Sequence, residues 1–159
     1  MEDMAKLSVG DKAPAFEAPN QAGKIHAVPT GAWTLLYFYP KDDTPGCTKE
    51  ACAIRDAYPD FKKLKITVFG MSVDSEKSHG KFAEKYELPF TLLSDEKKEI
   101  VEKYGVWGKK KFMGREYMGT MRTSFLIDPK GEIAKIYEAV KPGEHAAEVL
   151  ADMKGIMGK

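Results

Sequence analysis

From Trp33 to Tyr39 the chain reads WTLLYFY and stops at Pro40, and Ile66 to Val73 (ITVFGMSV) repeats the pattern. Short uncharged runs rich in aromatic and β-branched residues, ended by a turn signal, read as strands covered on both faces. Strands of that kind need a layer of structure on each side, which commits the chain to an α/β architecture. Between them, Lys49 to Leu64 places Ala51, Ile54, Tyr58 and Phe61 at helical spacing. Ser75 to Tyr86 and Glu96 to Tyr104, the latter closed by Gly105, predict two further helices. Ser124 to Ile127 and Ile133 to Tyr137 flank Asp128-Pro129-Lys130-Gly131 and predict a β-hairpin, and Glu144 to Met157 predicts a last amphipathic helix.

No repeat, linker or low-complexity tract divides the 159 residues, which suffice for one hydrophobic core, so a single domain spanning 1–159 is expected. Apolar residues at 43% and charged residues at 31% exclude disorder. A net charge of +1 leaves no basic excess for a nucleic-acid backbone, and no apolar run reaches the ~18 residues of a membrane span. The acidic Met1-Glu-Asp-Met-Ala-Lys6 resembles neither a secretory signal nor a transit peptide, so a cytoplasmic protein is expected.

Only two cysteines are present, Cys47 and Cys52, too few for a secreted disulfide framework. With Thr44 as N-cap, Pro45 takes the first helical position and Cys47 falls in the first turn, where unpaired N–H groups and the helix dipole favour a thiolate. Gly46 leaves space for a small substrate, and the Thr44 hydroxyl can donate to sulfur or to a bound oxygen. Five residues along an ideal helix separate the two Cα atoms by about 8.7 Å. A disulfide needs about 7 Å or less, so oxidation of this pair would have to unwind the first turn.

Pro40, Thr44 and Cys47 match the P-x-x-x-T-x-x-C pattern of peroxiredoxins, and Thr44-Pro-Gly-Cys-Thr-Lys-Glu-Ala-Cys52 resembles the peroxiredoxin Q subfamily, also called bacterioferritin comigratory proteins. The resemblance covers nearly the whole chain, through Gly10-Asp-Lys-Ala-Pro14-Ala-Phe16, Val73-Asp-Ser75, Leu93-Ser-Asp95, Tyr104-Gly-Val-Trp107 and Arg122-Thr-Ser-Phe-Leu-Ile-Asp128. It implies an α/β, thioredoxin-like fold, a central mixed sheet flanked by helices with an N-terminal extension. It further implies a thiol-dependent peroxidase acting on hydrogen peroxide and organic hydroperoxides, with Cys47 peroxidatic, Cys52 resolving, and Thr44 and Arg122 completing the catalytic set.

Pro40, Gly46 and Glu50 are the expected substrate-binding residues, Glu50 lying one turn beyond Cys47 on the same side of the helix. Arg122 is one of only three arginines, and a fixed cation there stabilises both a thiolate and the charge on a leaving oxygen. The implied cycle uses no metal, haem or flavin, takes its electrons from thioredoxin or a glutaredoxin-like reductant, and runs in a monomer. The alternative is a non-catalytic redox switch or chaperone using the same disulfide. His26, His79 and His145 are too scattered to form a metal site. Lys109-Lys110-Lys111 reads as a solvated loop, and Met113, Met118 and Met121 read as packing residues.

Overall fold

The computed structural model describes residues 7–158, so the N-terminal hexapeptide lies outside the described residues. Nine strands and four helices follow in the order β1 (Phe16–Pro19), β2 (Ile25–Val28), β3 (Trp33–Phe38), α1 (Pro45–Lys63), β4 (Ile66–Ser72), α2 (Glu76–Tyr86), β5 (Thr91–Ser94), α3 (Glu99–Lys103), β6 (Trp107–Phe112), β7 (Arg115–Thr120), β8 (Thr123–Ile127), β9 (Ile133–Tyr137) and α4 (His145–Met157). The central sheet has the order β5-β4-β3-β8-β9. β3 runs parallel to β4, and β4 to β5, while β8 pairs antiparallel with both β3 and β9. This is the expected mixed sheet, and the expected hairpin is β8–β9.

Why β3 and β4 lack any polar alternation is visible in the layers around them. Leu35, Tyr37 and Tyr39 enter a core with α1, α4 and Phe82 of α2. Leu36 and Phe38 enter a second core on the other face, with Ile100 and Val101 of α3 and Phe16 and Val28 of the N-terminal hairpin. Side chains that alternate between two buried faces are uncharged and, Thr34, Thr67 and Ser72 apart, not polar, so the run is nearly continuous.

The sequence reading assigns no strand to β1, β2 or β5, and two further regions depart from it. α3 covers only Glu99–Lys103, because Lys98 is left-handed at φ 63° and Asp95 Oδ2 accepts the N–H groups of Ile100 and Val101 at 3.0 and 2.8 Å. Lys109-Lys110-Lys111 is not a loop but the middle of β6, paired antiparallel with β7. Its two-residue turn, Met113-Gly114, has φ angles of 52° and 79°, as the tightest hairpin turns require. The pattern missed this hairpin because most of its residues are exposed on both faces, which removes the period-two apolar signal. Met113 is 85% exposed at that turn and Met118 is 49% exposed on β7, so neither packs in a core, whereas Met121 does pack against one.

Candidate active site

Helix α1 starts where its sequence dictates. Thr44 is the N-cap with extended backbone (φ −101°, ψ 156°), Pro45 opens the helix, and Cys47 sits in the first turn with 2% of its surface exposed. The Thr44 hydroxyl donates to the Lys41 carbonyl oxygen at 2.9 Å and makes no capping bond, so its proton faces the preceding loop rather than sulfur. Its lone pairs remain free to accept.

Arg122 arrives from the segment joining β7 to β8, and its guanidinium forks between two partners. Nη1 donates to Glu50 Oε1 at 2.7 Å and Nη2 donates to Cys47 Sγ at 3.3 Å. A planar, permanently charged fork with one arm on a carboxylate holds the other arm in place on sulfur. Burial works against the Arg122 charge, but the Cys47 and Glu50 charges outweigh it and hold its pKa above the ordinary value.

Glu50 was expected at the substrate; the structure places it behind the arginine, with 0% exposure. Burial pushes its carboxyl up to about 7, with Arg122 opposing. Among the described residues its second oxygen, Oε2, has no hydrogen-bond partner, and neither does the buried Tyr37 hydroxyl, whose pKa is raised by burial and then by the Glu50 and Cys47 charges. Gly46 lies against the same guanidinium. A Cβ there would lie 3.0 Å from Arg122 Nη2, so the missing side chain makes room for the guanidinium.

Beside the site lies a cleft of about 600 Å³ whose lining includes Pro40, Thr44, Trp107, Lys110, Met118 and Arg122, the last of which reaches from the cleft to Cys47 Sγ. Pro40, Thr44 and Arg122 therefore meet at one opening, as the sequence reading required, and the hairpin β6–β7 supplies the outer wall. Cys52 is half-buried further along the unbroken α1, and both thiols are free.

A second buried polar group, not anticipated from the sequence, holds the loop that leads to Thr44. Asp42 Oδ1 accepts from the Tyr39 hydroxyl at 2.6 Å, and Oδ2 accepts from Ser78 Oγ and lies against His79 Nδ1, both at 2.7 Å. The other ring nitrogen, Nε2, faces the Leu93 carbonyl oxygen at 2.8 Å. Asp42, Asp74 and His79 bring their ligand atoms within 4.8 Å of one another, but Asp74 Oδ2 is taken by the Asp42 N–H and Ser72 Oγ. The group ties loop, α2 and β5 together by hydrogen bonds. His145 is buried too, with Nε2 at 2.7 Å from Ser124 Oγ and Nδ1 at 3.1 Å from Glu148. That order of hydroxyl, imidazole and carboxylate has the form of a nucleophile triad, but Ser124 and His145 are both fully buried, so it fastens α4 to β8.

Comparison with known proteins gives the family. A profile of the AhpC/TSA family matches residues 9–136. The chain is 43% identical over 155 residues to peroxiredoxin Bcp of Bacillus subtilis, covering 96% of this chain and 99% of that one. It is 44% identical over 153 residues to peroxiredoxin Bcp of Escherichia coli, covering 95% and 98%. Among solved structures it resembles a Cys-to-Ser variant of Xylella fastidiosa PrxQ with a TM-score of 0.90 at 31% identity, over 97% of this chain and 99% of that one. It also resembles the Xanthomonas campestris bacterioferritin comigratory protein, solved in work on its alkyl peroxide reduction activity, with a TM-score of 0.83 at 33% identity over 89% and 91%.

Proposed function

This chain belongs to the AhpC/TSA family as a thiol-dependent peroxidase of the peroxiredoxin Bcp type, and from that premise we propose that Cys47 is its peroxidatic and Cys52 its resolving cysteine. The observation that supports the assignment is the Arg122 fork, a fixed cation 3.3 Å from Cys47 Sγ that also lines the cleft. In the first step the Cys47 thiolate attacks the terminal oxygen of a hydroperoxide. The S–O bond forms, the O–O bond breaks, and the remaining oxygen leaves with the electron pair while Arg122 stabilises its charge. Cys47 becomes a sulfenic acid.

The Cys52 thiol then displaces water from that sulfenic acid to give a disulfide. Because both residues lie on α1, the first helical turn has to open for the sulfurs to meet. That turn lacks two common supports: Thr44 makes no side-chain cap bond, and no acidic residue complements the dipole. A dithiol protein such as thioredoxin or a glutaredoxin-like reductant returns the disulfide to thiols, in a monomer within the cytoplasm, where two free cysteines persist. No helix among the described residues is long and apolar enough to cross a membrane.

The test mixes reduced protein rapidly with stoichiometric hydrogen peroxide while following Trp33 and Trp107 fluorescence, then measures intact mass. Wild type should give a fast change and lose about two mass units as two thiols become a disulfide. Cys52→Ser should retain the fast phase and accumulate sulfenic acid, whereas Cys47→Ser should not react. Equal rates in wild type and Cys47→Ser would overturn the assignment.

A further inference from the structure

Three cations line the cleft, and Arg122 alone has a part in the attack and departure at Cys47. Lys41 is exposed at the rim. Lys110 is different. Of the three consecutive lysines on β6, Lys109 and Lys111 are exposed while Lys110, on the opposite face of the strand, turns into the cleft and is half-buried. Its stem crosses the hairpin at Gly119, where a Cβ would stand 3.0 Å from Lys110 Cδ. Its ammonium is anchored on the Thr120 carbonyl oxygen at 3.1 Å, two residues before Arg122. No carboxylate lines this cleft among the described residues, so the ammonium is not there to complete an ion pair within it.

The reaction leaves a need that Arg122 does not meet. When sulfur takes the terminal oxygen of ROOH, the leaving group departs as RO⁻ or HO⁻ and has to be protonated, because water is so weak an acid that unprotonated hydroxide is a poor leaving group. A guanidinium stabilises that charge but does not give up its proton in a protein. An ammonium has three protons, and Lys110 uses one of them on Thr120.

We propose that Lys110 is the general acid of the peroxidatic step, passing a proton from its ammonium to the departing oxygen as the O–O bond breaks. The proposal rests on Cys47 being the attacking residue. Cys47–S⁻ and ROOH give Cys47–SOH and RO⁻; RO⁻ takes a proton from Lys110 to give ROH, and the neutral amine is reprotonated from water at the cleft mouth. Burial and the nearby Arg122 charge lower the Lys110 pKa, with the Cys47 charge opposing, which makes this ammonium a readier acid than a solvated lysine.

The experiment compares Lys110→Met and Lys110→Arg with wild type, by rapid mixing against hydrogen peroxide, tert-butyl hydroperoxide and peracetic acid. Hydroxide and alkoxide need a proton to leave well, whereas acetate does not. Both variants should slow the first two peroxides by about 100-fold, the lower end for general acid catalysis. The loss with peracetic acid should be at least about ten-fold smaller, because that leaving group draws little on an acid. Recovery of the rate by Lys110→Arg, uniform slowing with all three oxidants, or no slowing at all would each overturn the proposal. Failure of the underlying reading is separate, since it would show as a wild-type reaction equal to that of Cys47→Ser.

Discussion

Two buried polar groups flank Thr44, and they are built to opposite ends. On one side, Asp42 and His79 are saturated: both carboxylate oxygens and both ring nitrogens have partners between 2.6 and 2.8 Å. On the other side, Arg122 divides itself between Glu50 and Cys47, while Glu50 Oε2 and the Tyr37 hydroxyl are buried with no partner among the described residues. A saturated buried network rigidifies what it joins, and an unsatisfied one stores cost that a change of state can relieve. The loop before α1 is thus held fixed while the first turn of α1, which has to open, is left poorly held. Rigidity before the cysteine confines the movement to the cysteine's own turn.

The largest effect should come from breaking the saturated group. His79→Ala leaves Asp42 buried without its imidazole and should lower unfolding free energy by about 3–5 kcal/mol, the cost of removing one partner of a buried pair. Urea unfolding measures it. A loss below about 1 kcal/mol, the worth of one ordinary hydrogen bond, would mean that saturation does not set the two groups apart.

Arg122→Met should show the reverse balance, a large kinetic loss with a smaller structural one. Removing one charged donor from sulfur and from the leaving oxygen should slow the reaction with hydrogen peroxide by about 10²–10³-fold in the rapid-mixing assay. The stability loss should be below that of His79→Ala, because Glu50, already pushed up to about 7 with Arg122 present, escapes an unpaired buried charge by taking a proton. A stability loss exceeding that of His79→Ala would erase the contrast.

Glu50 gives a smaller effect whose sign is fixed by linkage. Its folded carboxyl titrates near 7 because of burial, whereas an unfolded glutamate titrates near 4.3. Between those values the folded protein holds a proton that the unfolded chain has released, so stability falls as pH rises through that window, by at most about 1.4 kcal/mol per pH unit for one proton. Glu50→Gln should flatten this decline, as read from urea midpoints at pH 4.5 to 7.5. An unchanged slope would show that Glu50 does not carry it.

How far the sequence disclosed these arrangements follows from the reach of each signal. The strands β3 and β4, the cap at Thr44 and the cysteine pair are local patterns, and they lie where spacing put them. Arg122 was accessible through its rarity and its motif. The burial of Glu50 was not, since one turn of α1 offers no sign that a residue 72 positions away will cover it. Asp42 and His79 are 37 residues apart and look like unrelated polar residues until the parallel sheet brings loop and α2 together. The β6–β7 hairpin was invisible because its role is to overhang the site, not to fill a core. Lys110 was hidden inside a run whose other two members are ordinary solvated lysines.

The smallest expected effect tests whether position, rather than charge, makes these groups. Asp43 is next to Asp42, has the same side chain and is also hydrogen-bonded, to Lys85 Nζ at 2.9 Å and to the Tyr86 hydroxyl at 2.7 Å. It differs only in where it points: its side chain is 43% exposed and that of Lys85 is 59% exposed, against 4% for Asp42. Bonds from Lys85 and then Tyr86 hold the Asp43 carboxyl below its ordinary pKa, but water takes over the role of a lost exposed partner at little cost. Lys85→Ala should therefore leave both the urea midpoint and the peroxide rate within experimental error of wild type, at low and at physiological salt alike. A clear loss in either would mean that Asp43 shares the anchoring with Asp42, and the loop would be held from both of its acidic residues rather than from the buried one.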